Sequence, residues 1–378
     1  MQKIYLDHSA TTPLDREVLN KIVPYMTEDF GNPNSVHTFG RKAMQAVDFA
    51  RDTVAQVLNA KPSEIYFTSG GTEGDNWAIN SAVKAFNGKK NKILSLPIEH
   101  PAVLSTLSAL SENGVIVEFI PVDSSGNIHL NYLEKAIDDS VGLVIAMTAN
   151  NELGTLSPIK QIAKIAHSVG ALFLTDAVQA VGVMKIDVKE TDADMVVISS
   201  HKFYGPKGVG ALYCKNGVKL NGYIIGGHQE REKRGGTTNV AGVLGMALAL
   251  KKASDGYLEN AEKIKNLRDR FESELIKNLP NIKINKSENR LPTVSSVTFN
   301  GVNGEVLLYN LDLNGVCASN GSACSAGTIK PSATLKAIGL MDEEVKGTVR
   351  FSFGKNNTEK EIETAVQIIT DCAKKLWE

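Results

Sequence analysis

Cysteine is scarce in this chain of 378 residues, and the four that occur are Cys214, Cys317, Cys324 and Cys372. They form no CxxC pair, so we expect no zinc site and no other metal centre built on cysteines. A number this small is more typical of a reducing cytoplasm than of a secreted disulfide scaffold, and we therefore expect a cytoplasmic protein.

Long hydrophobic runs are missing as well. No stretch of about 18 apolar residues, which is the length that a membrane-spanning helix needs, occurs in the chain. The first eight residues contain no signal-peptide core. These two absences predict a protein without a membrane partner.

An excess of charge of one sign is the third absence, because 41 basic residues face 42 acidic ones and the net charge is −1. This balance gives no reason to expect nucleic-acid or anionic-membrane binding. The hydrophobic content of 42% and the charged content of 22% are those of a soluble globular protein. The length suits two domains better than one.

Short apolar stretches alternate with helical patterns over the first two thirds of the chain. The predicted strands cover residues 65–67, 93–96, 143–147, 171–175 and 195–198, and helical spacing of apolar residues marks 35–60 and 76–86. Strands separated by helices favour an α/β fold with a mostly parallel sheet covered on both faces. After a long charged helix at 258–279, the pattern is that of a smaller α+β domain, with a strand at 294–299 and helices at 305–313 and at the end of the chain.

Two charged residues follow predicted strands, at the edge where ligands bind in open α/β sheets. Asp176 ends the apolar stretch 171–175, and Lys202 follows the stretch 195–198 through three polar residues. A carboxylate for a pyridinium nitrogen and an amine for a Schiff base are what pyridoxal phosphate (PLP) requires. The alternative interpretation is an ordinary carboxylate at a strand end and a solvated surface lysine.

Other strand ends carry polar groups that suit the same cofactor. The turn Gly70-Gly71-Thr72 lies between a strand and a helix, where backbone N–H groups form a phosphate cradle, although a simple tight turn would look the same. His100 could stack on an aromatic ring or move protons. Asn151 and Gln179 could donate hydrogen bonds to a phenolate oxygen.

The chain resembles the cysteine desulfurases of the NifS/IscS type in segments that run from Tyr5 to the C-terminal region, in the order of that family. The segments are YLDHSATT at 5–12, FTSGGTE at 67–73, ANNE at 149–152, TDAVQ at 175–179, SSHKFYGPKG at 199–208, NGSAC at 320–324 and VRFSFG at 349–354.

This resemblance implies a PLP-dependent transferase of fold type I, with the class V aminotransferase architecture. Its large domain would cover residues 14–251, and its small domain would combine 1–13 with 252–378. The implied reaction converts L-cysteine to L-alanine and leaves the sulfur as a persulfide on an enzyme cysteine. The implied partners are a second copy of the chain, in a homodimer, and a sulfur-acceptor protein.

The resemblance also implies roles for individual residues. Lys202 would bind PLP covalently and Asp176 would hold the pyridine nitrogen protonated. His100 would stack on the ring, and Gln179 would contact the phenolate oxygen. The remaining residues would hold the phosphate or the substrate carboxylate: Gly71, Thr72, Ser199, His201 and, from the partner subunit, Thr237 for the phosphate, and Arg350 and Asn151 for the carboxylate.

Cys324 is the expected persulfide carrier, because it lies among small residues with glycine on both sides, and such a loop can move. A nucleophilic thiolate must be accessible and deprotonated. Cys214 and Cys317 are expected to be buried and inert, and Cys372 lies in the predicted terminal helix.

The sequence departs from the family pattern at His228, which replaces a glycine in the segment GGHQE at 226–230. We favour a tolerated replacement over a role at the substrate entrance. Longer relatives carry a C-terminal tail that docks an iron–sulfur scaffold protein, whereas this sequence ends at Glu378, so that scaffold is a less favoured partner. The acceptor is otherwise open among an iron–sulfur scaffold, a tRNA-thiolation protein and a partner in cofactor synthesis.

Two alternatives stand beside the desulfurase interpretation. The first is another class V PLP enzyme, such as a selenocysteine lyase or an aminotransferase for a different amino acid, although a transaminase needs no thiol such as that of Cys324. The second is a catalytically idle homologue kept as a binding subunit. The presence of Lys202, Asp176, His100, Cys324 and Arg350 argues against it.

Overall fold

The computed structural model of the chain describes residues 3–86, 90–321 and 331–378. In these ranges the strands are β1 (Ile4–Tyr5), β2 (Ile65–Thr68), β3 (Lys92–Ser95), β4 (Ile116–Phe119), β5 (Val141–Ile145), β6 (Leu172–Asp176), β7 (Met195–Ser199), β8 (Gly210–Cys214), β9 (Ile282–Asn285), β10 (Val294–Phe299), β11 (Val316–Cys317) and β12 (Thr348–Ser352).

The helices of the same ranges are α1 (Arg16–Ile22), α2 (Pro24–Thr27), α3 (Thr38–Leu58), α4 (Gly71–Lys84), α5 (Pro101–Glu112), α6 (Leu130–Ala136), α7 (Ile159–His167), α8 (Val188–Thr191), α9 (Gln229–Glu232), α10 (Val240–Asp255), α11 (Tyr257–Asn278), α12 (Gly304–Leu313), α13 (Ala333–Ala337), α14 (Asp342–Lys346) and α15 (Glu359–Trp377). Short 3₁₀ helices cover Pro62–Glu64 and Ser200–Lys202.

Seven strands form the larger sheet, in the order β2-β8-β7-β6-β5-β3-β4. The five strands from β4 to β7 are parallel, whereas β8 is antiparallel to both of its neighbours, β7 and β2. The two reversals return β2 to the direction of β7. The carboxyl ends of β2, β3, β5, β6 and β7 therefore lie along one edge, and the predicted α/β fold with a mostly parallel sheet is confirmed.

Helices cover both faces of this sheet, as its almost wholly buried central strands require. One face packs against α3, α7 and α10 and the other against α4 and α5. Gly74 of α4 lies directly on β7, since an added Cβ would stand 2.8 Å from a methyl group of Val197. This close approach brings the N-terminus of α4 to the carboxyl edge of the sheet.

A second, antiparallel sheet has the order β12-β10-β9 and packs with α11, α12 and α15 around its own core. Phe271 of α11 lies at the centre of this core, with ring centroids 5.0 Å from Phe351 and 5.2 Å from Phe353. The N-terminal strand β1 pairs with β11, so the start of the chain lies beside this C-terminal part. The domain limits at residues 14 and 251 remain a prediction.

Element boundaries differ modestly from those that the sequence predicts. The helix predicted at 76–86 begins earlier, at Gly71, because glycines fill its first turn and weaken the apolar signal there. Strand β10 is buried at all six positions, because helices and loops cover both faces of the small sheet. Among the described residues, no helix is both long and apolar enough to cross a membrane.

A buried ion pair between α11 and the loop before β10 provides a test of this packing. Glu272 and Arg290 form two hydrogen bonds of 2.8 and 2.7 Å, and both side chains are only 6% exposed. Glu272→Gln should lower the free energy of unfolding by about 3–5 kcal/mol, because the buried guanidinium loses its counter-charge. Chemical denaturation would measure the change.

The matched control is Glu359→Gln, which breaks an exposed pair with Arg270. Its expected cost is below about 1 kcal/mol. Equal losses in the two variants would show that burial does not govern the strength of these pairs.

Candidate active site

The predicted pair Asp176 and Lys202 meets at the carboxyl edge of the larger sheet. Asp176 is the last residue of β6, and Lys202 ends the 3₁₀ helix that follows the neighbouring strand β7. The Asp176 carboxylate accepts a hydrogen bond of 2.8 Å from the N–H of Val178. Burial raises the pKa of Asp176, and the nearby His100 and Lys202 oppose that increase.

The Lys202 amine is held by the N-terminal segment of the chain. Its Nζ donates to the carbonyl oxygens of Ser9 at 2.5 Å and of Ala10 at 2.9 Å. Gln179 donates to the same Ser9 carbonyl at 3.0 Å. Two of the predicted cofactor residues therefore share one backbone anchor.

The predicted phosphate cradle lies between β2 and α4. Gly70 has φ 155° and ψ −173°, a conformation that is almost exclusive to glycine. An added Cβ on Gly70 would find only Ser199 Oγ within 4 Å, at 3.8 Å, so the space beside this turn is open. The N-terminus of α4, with Gly71 and Thr72, faces this edge, which favours an anion.

His201 lies beside this cradle and is held by the N-terminal segment, since its Nδ1 lies 3.1 Å from Thr11 Oγ1. Burial, followed by the positive charges of Lys202 and Lys207, lowers the pKa of His201 to about 4. The imidazole is therefore neutral near pH 7 and is suited to an anion as a hydrogen-bond donor rather than as a cation.

His100 is fixed by the helix that follows it. As the N-cap of α5, its Nδ1 accepts a hydrogen bond of 3.1 Å from the N–H of Ala102. This bond places the ring proton on Nε2. His100 is close enough to Asp176 to influence the titration of that carboxyl group.

The smaller sheet brings Arg350 to the same region. One guanidinium NH group donates to the carbonyl of Asn151 at 3.1 Å, and the other donates to Asp7 at 3.0 Å. The side chain is 3% exposed, and its Nε is buried without a hydrogen-bond partner in the described part of the chain. A donor in this state is suited to a carboxylate ligand.

The predictions made for the four cysteines differ in how they compare with the structure. Cys324 lies outside the described residues. Cys214 is buried at the end of β8, where burial raises its pKa to about 12, as expected of an inert thiol. Cys372 is buried in α15. The prediction that Cys317 is buried was wrong: it is partly exposed, because the two-residue strand β11 pairs only with β1.

Comparison with known proteins agrees with this geometry. The family model described as "Aminotransferase class-V" matches residues 4–364. The cysteine desulfurase IscS of Clostridium botulinum (strain Hall) is 43% identical over 386 residues, covering 100% of this chain and 97% of its own. The chain belongs to the class V aminotransferases, in the group of NifS/IscS-type cysteine desulfurases.

Solved structures support the same assignment. A structure titled "NIFS-LIKE PROTEIN" superimposes with a TM-score of 0.94 at 36% identity, covering 99% of this chain and 100% of that one. A structure of SspA in complex with cysteine has a TM-score of 0.82 at 34% identity, covering 94% and 100% of the two chains. The fold is therefore that of the NifS-like, fold type I family.

Two buried acids near Asp176 carry no signal in the sequence that would single them out. Glu99, next to His100 in the chain, is buried and accepts a 2.6 Å hydrogen bond from the N–H of Met147. Asp75 is buried in α4, and one oxygen of each acid has no hydrogen-bond partner in the described ranges. Burial and then the charge of Asp176 raise the pKa of both, that of Glu99 to about 8.

Glu152, in the segment ANNE, is a third acid that the sequence does not single out. Its carboxylate accepts a 2.6 Å hydrogen bond from Ser332, and it stands where a side chain on Gly321 would lie. Gly321 and Ser332 stand on the two sides of the undescribed segment 322–330. Glu152 follows two asparagines and precedes a leucine. This pattern does not indicate that its carboxylate contacts residues near the C-terminus of the chain.

The buried state of Glu99 predicts a pH dependence of stability. Because the folded-state pKa, about 8, lies above the unfolded value near 4.5, the folded protein binds the extra proton, and stability falls as pH rises between these values. Glu99→Gln should flatten this fall by up to about 1.4 kcal/mol per pH unit. Denaturation of the apoenzyme from about pH 5 to 8 would measure it.

The exposed Glu288 supplies the control. Glu288→Gln should leave the slope of stability against pH unchanged. If Glu99→Gln does the same, Glu99 is ionised in the folded protein and its burial does not raise its pKa.

Proposed function

We propose that the chain is a PLP-dependent cysteine desulfurase that converts L-cysteine to L-alanine and keeps the sulfur as a persulfide on Cys324. The observation that carries this proposal is the meeting of Asp176, Lys202 and His100 at one edge of the larger sheet. The relatives named cysteine desulfurase support the reaction. The complex of SspA with cysteine supports the substrate.

The residues at this edge fit PLP. The open space beside Gly70 and the N-terminus of α4 suit its phosphate. The buried Asp176 suits the pyridinium nitrogen, because a carboxylate in a dry site keeps that nitrogen protonated. The residues that would hold the cofactor are Gly71, Thr72, Ser199 and His201 at the phosphate, Asp176, His100, Gln179 and Asn151 at the ring, and Lys202 at the aldehyde.

The bound cofactor would supply an electron sink for the α-carbon of the substrate amino acid. Lys202 would act as the base that removes the α-proton, since its amine is held at this edge by two backbone carbonyls. His100 would move protons through Nε2, the ring nitrogen not engaged by α5. Arg350 would bind the substrate carboxylate with its buried Nε group, beside Asn151.

Sulfur transfer from the substrate would break one bond and form one bond. The Cys324 thiolate attacks the sulfur of L-cysteine, the Cβ–S bond breaks, and an S–S bond forms on the enzyme. The substrate Cβ gains a proton and becomes the methyl group of L-alanine. No external oxidant or reductant is consumed in this step, nor when the outer sulfur of the persulfide passes to the thiol of an acceptor protein.

The proposal includes two partners and a location. The enzyme would be a homodimer, in which the exposed Thr237 reaches the cofactor phosphate of the partner subunit. The acceptor would be an iron–sulfur scaffold or a tRNA-thiolation protein. A cytoplasmic location suits a catalytic thiol and a chain with only four cysteines.

The absorbance spectrum is the first test. The purified protein should absorb at about 400 nm, as a lysine-bound pyridoxal cofactor does, and the band should shift on addition of L-cysteine while alanine forms. Lys202→Ala should abolish the band and reduce alanine formation by at least about 100-fold, the contribution of a general base.

Two other outcomes are informative. A band that ignores L-cysteine would move the substrate to another amino acid, with selenocysteine the first to try. A wild-type protein that shows no band after reconstitution with PLP would contradict the cofactor and the reaction together.

The persulfide step has its own test. Cys324→Ala should keep the spectral shift with L-cysteine but lose sulfide release to an acceptor thiol, because binding does not need the thiol and sulfur transfer does. The control is Cys317→Ala, which removes the partly exposed thiol of β11 and should leave turnover intact. Unchanged sulfide release in Cys324→Ala would exclude Cys324 as the carrier.

A further inference from the structure

The loop between β8 and α10, which includes the single turn α9, contains three consecutive residues with left-handed rather than right-handed backbone. Glu230, Arg231 and Glu232 have φ values of 45°, 57° and 64°. Residues other than glycine rarely adopt this conformation, and they do so mostly as single residues. A run of three persists only where surrounding contacts determine it, so the contacts of this turn merit a functional explanation.

An ion pair with α3 holds the first residue of the turn. The Glu230 carboxylate binds Arg51 through two hydrogen bonds of 2.7 and 2.8 Å, and the two side chains are 5% and 15% exposed. One Glu230 oxygen also accepts from the N–H of Phe67 in β2, at 2.9 Å. Arg51 and Arg231 each donate to the carbonyl of Ile65, at 2.7 Å.

These contacts occupy the outer edge of the larger sheet. Strand β2 is the last strand on its side, and the unpaired N–H and C=O groups of an edge strand need partners. Glu230, Arg51 and Arg231 supply them in place of another strand. Strand β2 leads directly into the Gly70–Gly71 turn. The loop that contains Glu230 and Arg231 is therefore bound to the strand that precedes the phosphate cradle.

A second ion pair joins the loop to the cradle itself. Arg234 donates two hydrogen bonds to Glu73, at 2.9 and 3.1 Å. Glu73 follows Thr72 in the first turn of α4, and it also accepts a 2.9 Å hydrogen bond from the N–H of Ser69. The loop is closed internally by a 3.2 Å hydrogen bond from the N–H of Gly236 to the side chain of Gln229.

We propose that the ion pairs Arg51–Glu230 and Glu73–Arg234 form a clamp that positions Thr237 for the cofactor phosphate of the partner subunit. Thr237 lies three residues after Arg234 and is exposed, so the clamp fixes a residue that its own subunit leaves on the surface. The inference rests on the proposed function, in which Thr237 serves the partner site. Glu230 and Arg51 are positioning residues, since they act through Thr237.

The affinity of the apoenzyme for PLP, measured by titration, tests the clamp without requiring turnover. Thr237→Ala should raise the Kd for PLP by about 10- to 100-fold, the value of a hydrogen bond to a charged group. Glu230→Gln should raise it by about tenfold, because the loop loses its charged anchor. Arg234→Lys is the second variant, for use if Glu230→Gln does not fold, because the Glu73–Arg234 pair is more exposed. It should also raise the Kd for PLP.

The double variant separates positioning from a general loss of stability. If the clamp acts through Thr237, Glu230→Gln should add little to the effect of Thr237→Ala. The matched control is Glu272→Gln, which breaks a buried, doubly hydrogen-bonded Arg–Glu pair in the smaller part of the protein. It should lower stability and leave the Kd for PLP unchanged.

Mixed dimers test whether the clamp serves the partner. In the first dimer, one subunit carries Lys202→Ala and the other carries Glu230→Gln. Only the Glu230→Gln subunit has the lysine that gives the 400 nm band, and its site receives the intact loop of the Lys202→Ala subunit. The affinity of that site for PLP should be near that of the wild type. When both changes are in one subunit opposite a wild-type subunit, the band-forming site receives the altered loop and should bind weakly.

Each opposite result has a distinct meaning. The reverse pattern in the mixed dimers, or fully additive effects of Glu230→Gln and Thr237→Ala, would overturn the proposed clamp. An unchanged Kd in Glu230→Gln and Arg234→Lys, with weakened binding in Thr237→Ala, would overturn the clamp and leave the role of Thr237 intact. A wild-type protein that binds no PLP would overturn the proposed function itself.

Discussion

The parallel pairing of β6 with β7 is the constraint on which the site depends. Because adjacent parallel strands end at the same edge, Asp176 and the segment leading to Lys202 meet there. Strand β2 reaches the same edge through two antiparallel neighbours, which adds the glycine turn. Sheet topology therefore brings the carboxylate and the amine, which are 26 residues apart, together with an anion cradle that lies more than 100 residues before Asp176 in the chain.

Burial determines the charge states at this edge. The charges of His100 and Lys202 favour the ionised form of Asp176, whereas the charge of Asp176 raises the pKa of the buried Asp75 and Glu99. Burial raises the pKa of all three carboxyl groups, but only at Asp176 do nearby cations oppose the increase, so Asp176 is favoured over the other two to carry the negative charge. The environment thus favours ionisation of the Asp176 carboxyl group over that of its two acidic neighbours.

Alternating strands and helices were enough to predict the α/β fold, and strand ends were enough to predict Asp176, Lys202 and His100, because both follow from local periodicity. Long-range contacts were not accessible in this way. The neighbours of Asp176 include Asp75 from the middle of a helix, and the anchors of Lys202 are backbone carbonyls of Ser9 and Ala10, which carry no side-chain signal. The roles of Cys324 and Thr237 came from the family resemblance, and they remain predictions.

The N-terminal segment links the two sheets at the site. Asp7 binds Arg350 of the smaller sheet, and two residues later the carbonyl of Ser9 holds both Lys202 and Gln179 of the larger one. The same stretch pairs with β12 through Asp7 and Ser352. A substrate carboxylate that engages Arg350 would therefore act on a residue whose ion-pair partner, Asp7, lies two residues before the carbonyl that anchors Lys202. Binding of the substrate and placement of the base would share one short piece of chain, since residues 7–12 reach the site although, apart from the bridge of Asp7 to Ser352, they lie outside the strands of both sheets.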